Sequence, residues 1–428
     1  MRCRQIRISA RTPSGTPQRL SYERAWALNS RGPRTKGMFS DRTNWKLTRN
    51  RLTEAREEVT SSGVRLLDLT ISNPTRAGLT YDEASNLQSL ASPRAMDYDP
   101  DPKGLSSARA AVAQYYKTQH EIHNLDPDRL ILTTSTSEGY SFVFGLICNP
   151  GDELLVPRPS YPLFEFLAEL QDVRLVPYPL IYDHGWQMDF PSLQKAVSER
   201  TRGVVVVHPN NPTGSFVHPV EQKSLNRFCR EHELTLIADE VFLDYAHNRA
   251  RQQTFAANPD VLTFTLSGVS KVSALPQMKV AWIVTSGPAA EVEAAQSRLE
   301  VIADTYLSMN APIQWATPVL LEHRKSIQEQ LLNRVLANLK ELDRQLAAQK
   351  TCQRLIVEGG WYAVLRVPVT QTDEDLAVDL LRRRSVLVHP GHFYDFPRDG
   401  YLVLSLIAQR DEFTEGIGRL LELMIVDR

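Results

Sequence analysis

Four groups of polar residues in this chain each follow an apolar run, and each is a type that suits one part of a common chemistry. Ser135-Thr136-Ser137 comes after the run Leu130–Thr133 and opens a helical stretch, where hydroxyls and free N–H groups form a cradle for an anion such as phosphate. Asn210 and Asn211 sit in His208-Pro-Asn-Asn-Pro-Thr-Gly214, a turn stiffened by two prolines and a glycine, from which an asparagine amide can project into a cleft. Asp239 ends the next apolar run, where a carboxylate keeps a neighbouring ring nitrogen protonated. Ser270-Lys271 closes the set: a lysine at the rim of a buried strand loses its proton by desolvation and captures an aldehyde as a Schiff base. Taken singly, these groups are more often a helix cap, a tight turn, a loop acid and a surface lysine. Their combination carries the argument.

The elements that must position them alternate. The runs 130–133, 153–156, 204–207, 234–238 and 262–266 read as buried strands, with helical stripes through Leu105, Ala108, Val112 and Tyr115, over 136–148, and through Leu225, Phe228 and Cys229. Such alternation predicts an α/β domain with a mostly parallel central sheet sandwiched by helices, in which ligands bind beyond the carboxyl ends of the strands. A long polar-faced helical tract over 312–350 follows. Short strands at 361–367, 386–388 and 401–407, with helices at 373–384 and 411–426, then predict a smaller α+β domain. The expected division is a large domain over 80–310 and a small one made of 44–79 plus 311–428, with the strand 66–71 in the latter.

A phosphate cup, a turn amide, an acid for a pyridine nitrogen and an aldehyde-capturing amine together describe a site for pyridoxal 5′-phosphate. The chain resembles the class I/II aminotransferases of fold type I over nearly its whole length from about residue 44, through Tyr98-Asp-Pro-Asp-Pro-Lys-Gly104, Pro150-Gly-Asp-Glu153, Pro159-Ser-Tyr-Pro162, Asn210-Asn-Pro-Thr-Gly214, Ala238-Asp-Glu-Val241, Ser270-Lys271 and Pro390-Gly391. The resemblance implies that Lys271 carries the cofactor and moves the substrate proton, and that Asp239 holds the proton on the ring nitrogen. It further implies that Asn211 bonds the phenolic oxygen and that Tyr161 stacks on the ring. Ser135, Thr136, Ser137, Ser270 and Lys279 would bind the phosphate. Tyr98 would reach the phosphate of a partner subunit, which makes the expected assembly a homodimer with shared active sites. Asn73, Arg76 and His392 are candidates for contact with substrate.

The sequence departs from that family in ways that bear on the chemistry. Phe242 stands where relatives have a tyrosine that donates to the phenolic oxygen, so the lysine-bound cofactor should hold its proton to higher pH. Lys279 replaces an arginine, trading a bidentate fork for a point charge. Val403 falls where most relatives place the arginine that clamps the substrate carboxylate. Arg76, Arg158 and Arg366 are the candidates to replace it; otherwise the substrate is not an ordinary α-amino acid. The reaction implied is transfer of an amino group between an amino acid or amine and a 2-oxo acid. The alternatives are a lyase or cyclase using the same cofactor and, less favoured, a protein that binds the cofactor without turnover.

Composition excludes other classes. Of the 428 residues 42% are hydrophobic and 23% charged, and 49 basic against 50 acidic side chains give a formal charge of −1, so no global field favours a nucleic acid. No run approaches the roughly 20 apolar residues of a membrane span. The 4 cysteines are widely separated, as expected for reduced thiols in the cytoplasm. The histidine pairs His120/His123 and His389/His392 lack the companions of a metal site, and no metal is expected. Residues 1–43 are set apart as a basic tail, acid-poor and without apolar period over 1–37. A disordered tail or a start upstream of Met38 is favoured there over a transit-like presequence.

Overall fold

The computed structural model describes residues 38–426 apart from 46, 48, 249–252 and 308, so the basic segment 1–37 lies outside the described residues. The strands are β1 (Leu67–Asp68), β2 (Leu130–Thr133), β3 (Glu153–Arg158), β4 (Arg174–Tyr182), β5 (Trp186–Met188), β6 (Thr201–Val207), β7 (Thr235–Asp239), β8 (Thr263–Gly268), β9 (Ala281–Ser286), β10 (Gln353–Arg354), β11 (Tyr362–Arg366), β12 (Val386–Leu387), β13 (His389–Pro390) and β14 (Tyr401–Ser405). The helices are α1 (Arg51–Ser61), α2 (Glu83–Ser89), α3 (Ser106–His120), α4 (Thr136–Ile147), α5 (Leu163–Leu170), α6 (Phe190–Ala196), α7 (Pro219–Glu231), α8 (Val269–Val272), α9 (Ala289–Tyr306), α10 (Ala311–Glu322), α11 (Arg324–Leu346), α12 (Asp373–Arg384) and α13 (Arg410–Val426).

Eight strands form one sheet in the order β2-β9-β8-β7-β6-β3-β4-β5. The pairs β3·β4, β3·β6, β6·β7 and β7·β8 are parallel, as expected for an α/β layer, and β9 runs antiparallel between β8 and β2. The continuous valine run of β6 is explained by helices on both faces. Val205 packs with Ile131, Ile237 and Phe264 beneath α4 and α9, while Val204 and Val206 pack with Leu225, Phe228 and Cys229 of α7. Each such side chain taken from water contributes about 1.5–3 kcal/mol, which fixes the register of the central strands.

A second, antiparallel sheet has the order β10-β11-β14-β13, and β1 pairs with β12 in parallel. Around it pack α1, α12, α13 and the apolar stripe Ile327, Leu331, Val335 and Leu342 of α11. The polar edge of α11 ties the same region down: Asn338 Nδ2 donates to the carbonyls of Leu406 at 2.9 Å and Ala408 at 2.8 Å.

Several elements differ from expectation. The helical tract over 312–350 is two helices broken at His323, because Arg324 turns back to donate to the Leu321 carbonyl at 2.6 Å and caps α10. The Ile313, Ala316 and Leu320 side chains of α10 pack with α3, β2 and β9. The strand expected over 66–71 pairs only at Leu67–Asp68, where its partner β12 is equally short. Strands β4, β5, β9, β10 and β13 have no counterpart in the sequence reading.

Candidate active site

The sheet order brings the carboxyl ends of β8, β7 and β6 side by side, about 5 Å from strand to strand. Lys271, Asp239 and Asn211 follow those three strands, and Ser135 follows β2 at the same edge.

Asp239 is buried at the end of β7. Its carboxylate accepts hydrogen bonds from the Tyr140 hydroxyl at 3.0 Å and the Val241 N–H at 3.1 Å. Burial outweighs these neutral donors and pushes the carboxyl up to about 6. Lys271 shows the complementary displacement: loss of water lowers its amine to about 8, against the pull of Asp239. The amine lies 4.9 Å from the centre of the Trp361 ring and 5.4 Å from that of Phe242, so two aromatic rings replace solvent around it.

The turn that carries Asn211 is held by a buried polar network. Asn210 Nδ2 donates to the Pro159 carbonyl at 3.1 Å and to Thr213 Oγ1 at 2.8 Å, and Thr213 Oγ1 lies 2.8 Å from Ser215 Oγ. Asn211 itself is 8% exposed, with its amide oxygen buried and unpartnered. Gly214 has φ of +67° and lies so close to Val357 and the Gly359 carbonyl that a β-carbon there would clash with both.

Ser135 is the N-cap of α4, its hydroxyl accepting the Glu138 N–H at 3.2 Å, so Thr136 and Ser137 occupy the first turn, where a helix favours an anion. Ser270 lies in α8 beside Lys271, and Lys279 is exposed with φ of +55°. The α8 helix is only four residues long and its terminal carbonyls take outside donors. The Tyr245 hydroxyl donates to Lys271 O at 2.7 Å, and Gln328 Nε2 to Val272 O at 2.8 Å and to Asp244 at 2.6 Å.

A cleft of about 1250 Å³ opens beside β3 and β4; Tyr161, Arg158, Glu165, His392 and Asp395 are among its walls, whereas Lys271, Asp239 and Asn211 are not. Arg158 is paired with Asp395 at 3.2 Å. Arg366 stands at the far end of β11 from Trp361, its guanidinium carbon 5.8 Å from the Tyr182 ring centre. Arg76 is exposed in the turn at Pro74–Arg76, which Asn73 caps through its side-chain oxygen. Val403 is 1% exposed and is paired within its sheet to Val364 and His389. Tyr98 is 83% exposed.

Residues 24–413 match the family model described as aminotransferase class I and II. The chain belongs to this family. Its activity is accordingly transamination. An alanine aminotransferase of Mycobacterium bovis is 28% identical over 368 residues, covering 84% of this chain and 86% of that protein. A glutamate-pyruvate aminotransferase of Escherichia coli is 30% identical over 269 residues, or 62% of this chain and 66% of that one. In fold, the aminotransferase resembles an alanine aminotransferase of Pyrococcus furiosus with a TM-score of 0.76 at 22% identity, over 87% of this chain and 95% of that one.

Around Lys271, the aminotransferase also has residues that sequence reasoning did not single out. Tyr140 sits one turn into α4 after the Ser135 cap, and its position in the helix that opens at the phosphate cup was the available signal. Trp361, Tyr245 and Gln328 carried none, since they reach Lys271 only through contacts distant in sequence.

Proposed function

We propose that this aminotransferase works with pyridoxal 5′-phosphate carried on Lys271, moving an amino group from an amino acid to a 2-oxo acid. The observation that carries the reading is a desolvated lysine and a buried carboxylate brought together at the carboxyl ends of the adjacent parallel strands β8 and β7, one displaced down to about 8 and the other up to about 6. The residues fit the cofactor. Asp239 accepts hydrogen bonds from neutral donors, and a protonated ring nitrogen would supply the positive charge its burial calls for. The unpartnered oxygen of Asn211 leaves the polar end of that side chain to a ligand. Thr136 and Ser137, with Ser135 and Ser270, offer hydroxyls and helix N–H groups for the phosphate, and Lys279 adds a cation.

When bound, the cofactor supplies an aldehyde that captures the substrate amine and a ring that draws electrons from the bonds at Cα. The chain supplies the rest. Desolvation lowers the Lys271 amine and favours its neutral form, so Nζ would take a proton from Cα and return it within one turnover. Asp239 keeps the ring nitrogen charged by its own negative charge. Asn211 would donate to the phenolic oxygen and Tyr161, a wall of the cleft, would cover the ring; His392, in the same cleft, and Asn73 and Arg76, outside it, are the candidates to meet substrate. The Phe242 and Trp361 rings exclude water from Nζ.

The relatives named for alanine and for glutamate and pyruvate support small α-amino acids and their 2-oxo acids as substrates. The hand-over between a large domain on the eight-stranded sheet and a small one on the antiparallel sheet belongs in the α10–α11 tract, with the segment 44–79 joining the small domain. Exposed Tyr98, Met96 and Leu87 support a homodimer contact, and free Cys148, Cys229 and Cys352 support a reducing cytoplasm. The test is a donor panel. Protein loaded with pyridoxal phosphate should convert L-alanine and 2-oxoglutarate to pyruvate and glutamate, and Lys271→Ala should abolish it. A loaded protein inert toward every amino acid and amine, each offered with a 2-oxo acid, would contradict the reading.

A further inference from the structure

Trp361 is 0% exposed, and its indole nitrogen is buried without a hydrogen-bond partner. Its ring lies 4.9 Å from Lys271 Nζ and meets Phe242 and Tyr245 edge-on, with centroids 5.1 and 4.9 Å away. A buried N–H with no acceptor is costly, and native proteins rarely tolerate one away from a functional site. Neither aromatic neighbour relieves it through a polar group: Phe242 has none, and the Tyr245 hydroxyl donates to the Lys271 carbonyl at 2.7 Å. The indole ring therefore stands beside the Lys271 amine while its N–H meets no acceptor of the chain. That arrangement calls for an acceptor brought by a ligand.

In pyridoxal phosphate the phenolic oxygen is on the ring carbon next to the one bearing the aldehyde. Whichever amine captures the aldehyde thus brings that oxygen close to itself. We propose that Trp361 is a cofactor-binding residue that donates its indole N–H to the phenolic oxygen, supplying from β11 the hydrogen bond that Phe242 cannot. The inference rests on the assignment of Lys271 and the cofactor made above. It reverses one expectation from the sequence, since a donor at this oxygen favours the more negative, deprotonated form. The lysine-bound cofactor should lose its proton at a lower pH than Phe242 alone would dictate.

The test is a pH titration of the visible absorbance of the loaded enzyme in the wild type, Trp361→Phe and the double variant Phe242→Tyr/Trp361→Phe. Trp361→Phe keeps an aromatic ring and removes the N–H; its midpoint should rise by about one pH unit, the scale of one hydrogen bond to a charged group. The double variant, which supplies a phenol instead, should bring the midpoint back down. An unchanged midpoint in a Trp361→Phe protein of normal unfolding temperature would overturn the proposal and leave the N–H facing a ring of Phe242 or Tyr245. Should that variant not fold, wild-type protein labelled with ¹⁵N at its 6 tryptophan indoles serves instead. Loading should then move one indole N–H resonance downfield by about 1 ppm, as a new charge-assisted hydrogen bond requires, and no displacement overturns the proposal. A chain that develops no visible band fails at the cofactor assignment, a different outcome from a band whose midpoint ignores Trp361.

Discussion

Glu240, the neighbour of Asp239, is 1% exposed and accepts hydrogen bonds from Thr254 Oγ1 and the Phe255 N–H, each at 2.6 Å. Burial, aided by the charges of Asp239 and Asp244, pushes its carboxyl up to about 8. The folded chain thus holds this proton more tightly than the unfolded chain, and stability is lost as pH rises from the ordinary carboxylate value toward 8. Glu165, raised to about 7 chiefly by burial, acts in the same direction. Buried His208 and His389, lowered to about 4, act oppositely but only below their ordinary 6.5. Lys271 also has the opposite sign, mainly above pH 8 in the cofactor-free chain, where its unfolded form still binds a proton. Urea unfolding should therefore show stability falling between pH 6.5 and 8, at no more than about 1.4 kcal/mol per pH unit per group. Glu240→Gln should flatten most of that fall while costing about 1–2 kcal/mol at pH 6 through one lost hydrogen bond. An unchanged slope would assign the proton elsewhere.

At the scale of elements, the site depends on short pieces of backbone whose shape is enforced from outside. Gly214 closes the Asn211 turn in a left-handed conformation, packed against Val357 and 2.5 Å, by the β-carbon an alanine would carry, from the Gly359 carbonyl oxygen. Gly214→Ala should cost about 3 kcal/mol or more by denaturant unfolding, from backbone strain together with overpacking; a neutral effect would mean that the turn relaxes freely. The lysine helix α8 is capped by Tyr245. Tyr245→Phe should lower kcat about three- to tenfold with KM nearly unchanged, because one hydrogen bond of about 1 kcal/mol orients Nζ and touches no substrate. A change confined to KM would put Tyr245 in substrate binding. The uneven legibility of these elements has physical reasons. Strands β6, β7 and β8 are apolar on both faces and announce themselves, and each is followed by a residue type that suits ligand chemistry. Strand β4 carries Pro177 and Pro179, which lower its strand character; it tolerates them because its ladder with β5 begins only at Leu180, just past both prolines. An apolar run such as 280–284 does not encode direction, so nothing in the residues foretold that β9 runs antiparallel. Trp361 reads as a strand residue until folding lays its ring against an amine 90 positions earlier.

The whole molecule joins two sheets through α11, whose apolar stripe serves the antiparallel sheet while Gln328, near its first turn, bonds the helix that carries Lys271. Leu87, Met96 and Tyr98 are exposed, and if the proposed homodimer forms, sedimentation of the loaded enzyme should give twice the chain mass. A monomer with full activity would rule out shared sites. The most direct test of the central claim is to reduce the loaded protein with borohydride, digest it and locate the cofactor by mass spectrometry. The account predicts a stable phosphopyridoxyl group on the peptide containing Lys271 and none after Lys271→Ala. A label on another lysine, or no label on a protein saturated with pyridoxal phosphate, would contradict it.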